Sequence, residues 1–194
     1  MLQLHAMRIM LMPSISPRLI AGLVRNERGS AAVEFAVIVP IMLTLFFGVI
    51  EFSSGIAVDR KVTLVARTLS DLTSQSSCVT QTDLDGFTST GKAIMTPYST
   101  TPLLSTITEV FVDDNLTAKV QWSKGSAPKG ANTTVSIPTG LKVKNTYLIM
   151  AEVEYLYTPV GIGYVMKTNI NLKDETYTRP RQTSSVTYKA TSCA

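Results

Sequence analysis

Residues 25–58 read RNERGSAAVEFAVIVPIMLTLFFGVIEFSSGIAV. Two arginines, Arg25 and Arg28, lead into Gly29 and then an apolar run that is broken once near its start, by Glu34. From Phe35 to Ile50 no residue carries charge. As a helix that run is about 24 Å long, and Ser30–Val33 extend it to roughly the 30 Å of a bilayer core. A carboxylate inside the edge of such a helix costs roughly 2.5–3.5 kcal/mol on insertion scales. A group that expensive calls for a partner or a task, so the reading turns on Gly29 and Glu34.

The net charge of +4 first suggests an anionic partner. Residues 1–29, however, hold four arginines and one glutamate, which leaves 14 basic against 13 acidic residues in the rest. The basicity flanks the apolar run, a pattern of membrane topology rather than of phosphate binding, and no nucleic-acid partner is expected. A basic segment before an apolar stretch reads as a targeting leader. An ordinary secretory signal would be cut after the run, near Gly55-Ile56-Ala57, leaving Val58 first. Glu34 and Pro40 inside the run, and helical patterning beyond Ala57, speak against that route.

Beyond Glu51, Val58, Val62, Val65, Leu69 and Leu72 recur at spacings of 4, 3, 4 and 3, with Asp59, Arg60, Lys61, Arg67 and Asp71 on other faces. This predicts one helix over 30–75, membrane-spanning at about 33–53 and amphipathic afterwards. Thr82 and Asp85 resemble a capping box for a short helix over 83–95. Strands follow: Ile107–Val112 and Thr117–Trp122 around the turn Asp113-Asp114-Asn115, with Ala118, Val120 and Trp122 on one face. Thr133–Ile137 reads as a short strand. Asn145–Tyr157 is the clearest strand, with Tyr147, Ile149, Ala151, Val153 and Tyr155 facing one way and Glu152 and Glu154 the other. Thr168–Tyr177 reads as the last strand and the tail from Arg179 as polar. The expected class is α+β: a long helix packed on a mostly antiparallel sheet, with 78–194 as its domain.

Catalytic chemistry finds little support. The sole histidine is His5, so a Ser-His-Asp triad or a histidine-ligated zinc site has no base or ligand in the later chain. Gly161 and Gly163 lack the third glycine and helix of a dinucleotide loop. No enzyme activity, metal or cofactor is expected. Cys78 and Cys193 both follow the apolar run, which is compatible with an oxidising compartment and one disulfide; two separate buried thiols are the alternative.

Gly29 followed by Ser30-Ala31-Ala32-Val33-Glu34-Phe35 resembles the cleavage site of type IV pilin precursors. More narrowly, Ala31-Ala32, Val33-Glu34-Phe35, Pro40 and Gly48-Val49-Ile50-Glu51-Phe52 are similar to the TadE-like family of the tight-adherence (Tad) pilus system. That resemblance implies a minor pseudopilin cut between Gly29 and Ser30 by a prepilin peptidase, residues 1–29 being a cytoplasmic leader. It further implies that Glu34, with Phe35 beside it, docks on a neighbouring subunit during assembly. The implied partners are the peptidase, other Tad pilus subunits, the inner-membrane assembly machinery and membrane lipid. Three basic residues lie near the run on each side, so charge alone does not orient it. The cysteines and the resemblance place the N-terminus in the cytoplasm and the sheet domain in the periplasm. The rival readings are a pilus-associated adhesive module and an uncleaved signal anchor unrelated to pili.

Overall fold

The computed structural model describes residues 29–159 and 169–193. The residues before Gly29, expected to form a leader, and the Gly161/Gly163 connection therefore lie outside the described residues. Helix α1, Ser30–Ser74, is the longest element and includes Pro40. Proline in a helix interior leaves the carbonyl four residues earlier without its donor. One turn after the proline, Thr44 Oγ1 donates to the Pro40 carbonyl at 2.8 Å. The chain divides into two compact units, 1–48 and 49–194. In the described part of the first, side chains such as Phe35, Met42 and Phe47 are well over half exposed.

The second unit holds the sheet. After the remainder of α1 come β1 (Cys78–Val79), α2 (Gln81–Ile94), β2 (Leu103–Val112), β3 (Ala118–Gly125), β4 (Thr134–Val135), a 3-10 turn (Thr139–Leu141), β5 (Thr146–Tyr157), β6 (Ile170–Thr178) and β7 (Thr187–Tyr188). The five-stranded sheet runs β4-β3-β2-β5-β6, every pairing antiparallel. The α+β arrangement, a long apolar helix with an antiparallel sheet domain, is the one expected.

The main core lies on one face of this sheet. Val58, Val62, Val65 and Leu69 of α1 are fully buried against Ile149, Ala151 and Val153 of β5 and Leu103 and Ile107 of β2. Leu72 is only half-buried, and Ser70, Thr73 and Ser74 take the last buried positions of the helix. Their hydroxyls stay satisfied: Ser70 Oγ donates to Thr178 Oγ1 at 2.6 Å and Thr73 Oγ1 to the Leu69 carbonyl at 2.8 Å. On the opposite face a smaller core joins Val110, Val112, Ala118, Ile137, Leu148 and Met150. Further along that face Glu152 pairs with Lys129 and Glu154 with Lys173.

Four details differ from the sequence reading. The capping box is Thr80 with Asp83, two residues earlier, so α2 starts at Gln81. Thr80 N–H and Oγ1 both donate to Asp83 Oδ2, at 2.8 and 2.7 Å, and these bonds hold the Asp83 carboxyl below its ordinary pKa. Trp122 does not share a face with Ala118. A bulge between Glu109 and Val110 shifts the register and turns Trp122 toward the main core. Strand β2 begins at Leu103, four residues before the expected Ile107 and within residues 96–106, which are rich in Ser, Thr and Pro, because pairing with β5 and burial of its face outweigh local composition. Finally, β6 is not the last strand. The polar tail returns, pairs as β7 with β1, and buries Val186 completely.

Candidate functional site

The first residues of α1 form the candidate site. Ser30 is the first α-helical residue, and its Oγ donates to Glu34 Oε1 at 3.3 Å across one turn. The opening turns of a helix present N–H groups without intrahelical acceptors and a partial positive charge, which favours a carboxylate there. No acidic residue lies in the first turn, so Glu34 is the first carboxylate along the helix. Gly29, Ser30 and Glu34 are all exposed, and a Cβ built on Gly29 would meet nothing within 4 Å. The backbone at 29–30 is therefore accessible from solvent. Phe35 is 69% exposed. The structure thus brings Ser30 and Glu34 together and leaves Phe35 facing outward.

Glu51, 17 residues further on in the sequence, belongs to the second unit. It stands near the aromatic cluster at the base of the sheet: the Tyr157 phenol is pushed up by burial first, then by the Glu51 carboxylate and by Tyr98 and Tyr155. Glu34 and Glu51 thus occupy two separate places.

Among the described residues of the second unit, those that sequence singled out take part in turns and ion pairs. Asp113 Oδ1 accepts the N–H groups of Thr117 and Asn115 at 2.9 and 3.0 Å, while Oδ2 meets Lys119 Nζ at 3.2 Å. Those contacts, the Thr117 N–H foremost, depress its pKa and occupy it as a turn former. Among the described residues no three His, Cys, Asp or Glu side chains gather as a metal site. Cys78 and Cys193 are joined by a disulfide across 115 positions.

Two polar residues with structural roles escaped the sequence reading. Lys61 Nζ donates to the carbonyls of Ile94 and Thr96 at 2.8 and 2.9 Å, placing a cation at the C-terminus of α2. Glu109 is 3% exposed, and its Oε1 accepts the Val186 N–H at 2.5 Å while Trp122 Nε1 donates to the Val186 carbonyl at 2.7 Å. Burial raises the Glu109 pKa to about 7, against the opposing effect of those N–H donors. Its phase with Ile107 on β2 was the available signal, since both point to the core face.

Residues 29–70 match the TadE-like protein family, a stretch that begins at Gly29 and runs almost to the end of α1. No curated protein and no solved structure matches the chain. By length and composition α1 could cross a membrane.

Proposed function

We propose, from a segment that is TadE-like over residues 29–70, that this protein is a minor pseudopilin acting in Tad pilus assembly. The observation that carries the reading is the coincidence of three boundaries. The family match starts at Gly29, the α-helix starts at Ser30, and Glu34 stands one turn inside it, bonded to Ser30.

A prepilin peptidase would cleave between Gly29 and Ser30 and release residues 1–29 as the leader. The new Ser30 amine then lies within about a turn of Glu34. In a low-dielectric setting an ammonium and a carboxylate offset much of each other's desolvation cost, whether the amine belongs to the same chain or to a neighbour. Pairing with a neighbour sets the axial register between subunits, which makes Glu34 the docking group and Phe35 its apolar flank. Residues of about 33–53 span the inner membrane once, with the N-terminus in the cytoplasm, and 78–194 form a periplasmic domain that contacts other pilus subunits and the assembly machinery. The role is structural.

Two substitutions separate processing from docking. Gly29→Ala is expected to block cleavage, read as retention of the higher-mass precursor in membranes. Glu34→Ala is expected to be cleaved at near-normal extent yet to lower surface piliation at least several-fold. Normal piliation with Glu34→Ala sinks the pairing role. Normal piliation after deletion of the gene, with loss only of attachment, moves the function from assembly to adhesion.

A further inference from the structure

We infer that the end of the sheet where β5 leaves and β6 enters rests on the lipid surface of the bilayer, with Leu104, Leu156 and Ile170 in its headgroup region. The inference rests on the membrane-spanning reading of α1 and adds a second, separate contact with lipid.

Beyond Ile56 the exposed large apolar side chains among the described residues are Leu64, Leu104, Leu116, Val143, Leu156 and Ile170. Strand register gathers three of them at one end. Leu104 lies opposite Glu154, Leu156 opposite Asn171 and Ile170 opposite Tyr157, all within the last few rungs of β2, β5 and β6. Each is 46–49% exposed. Leu104 and Leu156 emerge on one face of the sheet and Ile170 on the other, as the alternation of a strand requires. Apolar side chains on both faces of a strand end suit insertion of a rim. They do not suit the packing of a flat partner on one face.

The same end touches α1 where its apolar surface finishes. A Cβ built on Gly55 would lie 3.7 Å from Tyr157 Cε1, so the helix passes close against the final residue of β5. Phe52, 72% exposed, is only three residues from that contact, or about 5 Å along the axis. Ile170, opposite Tyr157, emerges on the face that α1 covers and Leu104 and Leu156 on the other, all in the same compact unit as Phe52. Tyr98, Tyr155 and Tyr157 gather at this end, and Tyr155 Oη donates to the Ser99 carbonyl at 3.0 Å. Of the three, Tyr155 and Tyr157 are 5% and 7% exposed and close the core, and only the half-buried Tyr98 is placed to reach the headgroup level. Lys173, half exposed and paired with Glu154 at 2.8 Å, stands on the rung of Leu104. The opposite end of the sheet carries two exposed apolar side chains, Leu116 and Val143, beside the charged turn Asp113-Asp114.

The test uses the full chain in vesicles of phosphatidylcholine and phosphatidylglycerol, the Cys78–Cys193 pair left oxidised. Single thiols from Leu156→Cys, Ile170→Cys, Val143→Cys and Phe47→Cys carry an environment-sensitive fluorophore. Quenching is read with nitroxides on the headgroup or high on the acyl chain. Labels at 156 and 170 are expected to be quenched several-fold more strongly than the label at 143, with the label at 47 protected from aqueous quencher. Quenching at 47 but not at 156 and 170 overturns the inference and leaves the spanning helix in place. Failure at 47 as well removes the spanning reading and this inference with it. Labels at 156 and 170 shielded from water yet insensitive to lipid nitroxides assign the surface to a second protein and equally overturn it.

Discussion

Glu109 and Glu34 are both carboxylates in apolar surroundings, and they solve the problem differently. Glu109 is enclosed by protein, bonded to the Val186 N–H, with its pKa lifted to about 7 by burial. A carboxyl whose folded pKa lies above its ordinary 4.5 binds more protons in the folded state between those values, so stability falls as pH rises through that window. At about 1.4 kcal/mol per pK unit, discounted for partial solvent screening, the loss is about 1–3 kcal/mol and is complete above pH ~7. Glu109→Gln keeps an acceptor for Val186 and removes the titration. Denaturant melts at pH 5 and pH 8 are expected to differ clearly for the parent and little for the variant. An unchanged pH slope in Glu109→Gln would assign the dependence elsewhere. Glu34, by contrast, has Ser30 as its bonded neighbour and an exposed helix around it. Under the proposed processing its compensation would come from the new amine or another subunit, so its substitution is expected to affect assembly more than folding.

At the scale of elements, the amphipathic half of α1 is the spine against which both the sheet and α2 are set. Helix α2 comes close to it through Gly91, where an added Cβ would lie 3.0 Å from Val65 Cγ1. Gly91→Leu is therefore expected to destabilise the domain by about 1–3 kcal/mol through overpacking, measurable as a lowered denaturation midpoint. Lys61→Met removes the donor to the Ile94 and Thr96 carbonyls and is expected to increase amide exchange at the end of α2 before it alters the rest. The limits of α1 were legible because its period of burial is local and the Ser/Gln run after it offers no apolar continuation. The alternation of β5 was legible for the same reason. Trp122 was misplaced because one bulge inverts a face, and only the partner strand reveals it. The cap of α2 was displaced because Thr80 and Thr82 are each followed three residues later by an aspartate, so spacing alone cannot choose between them.

For the whole molecule, the returning tail is what sequence left unread. Arg181 N–H donates to the Ser74 carbonyl at 2.8 Å and its guanidinium meets Asp71, while Val186 fills the core and Cys193 joins Cys78. The polar, 16-residue stretch from Arg179 reads as a loose end because its single large aliphatic residue, Val186, has no periodic company. Its place comes from long-range partners. The disulfide spans 115 positions, and closing so long a loop limits the unfolded chain by about 4–5 kcal/mol in the chain-entropy model. Thiol labelling of the membrane-extracted protein without reductant is expected to find both cysteines unreactive, and reduction to lower the thermal midpoint of the domain. The candidate site was legible as a motif: Gly29, Ser30 and Glu34 were identifiable from spacing and resemblance, and the helix joins Ser30 to Glu34. The lipid-facing rim was not legible, because Leu104, Leu156 and Ile170 are brought together only by strand register. The account as a whole depends on processing at the head of α1. Intact mass of the protein extracted from membranes measures it directly: a chain beginning at Ser30 is the predicted result, and a retained leader or a chain beginning at Val58 contradicts it.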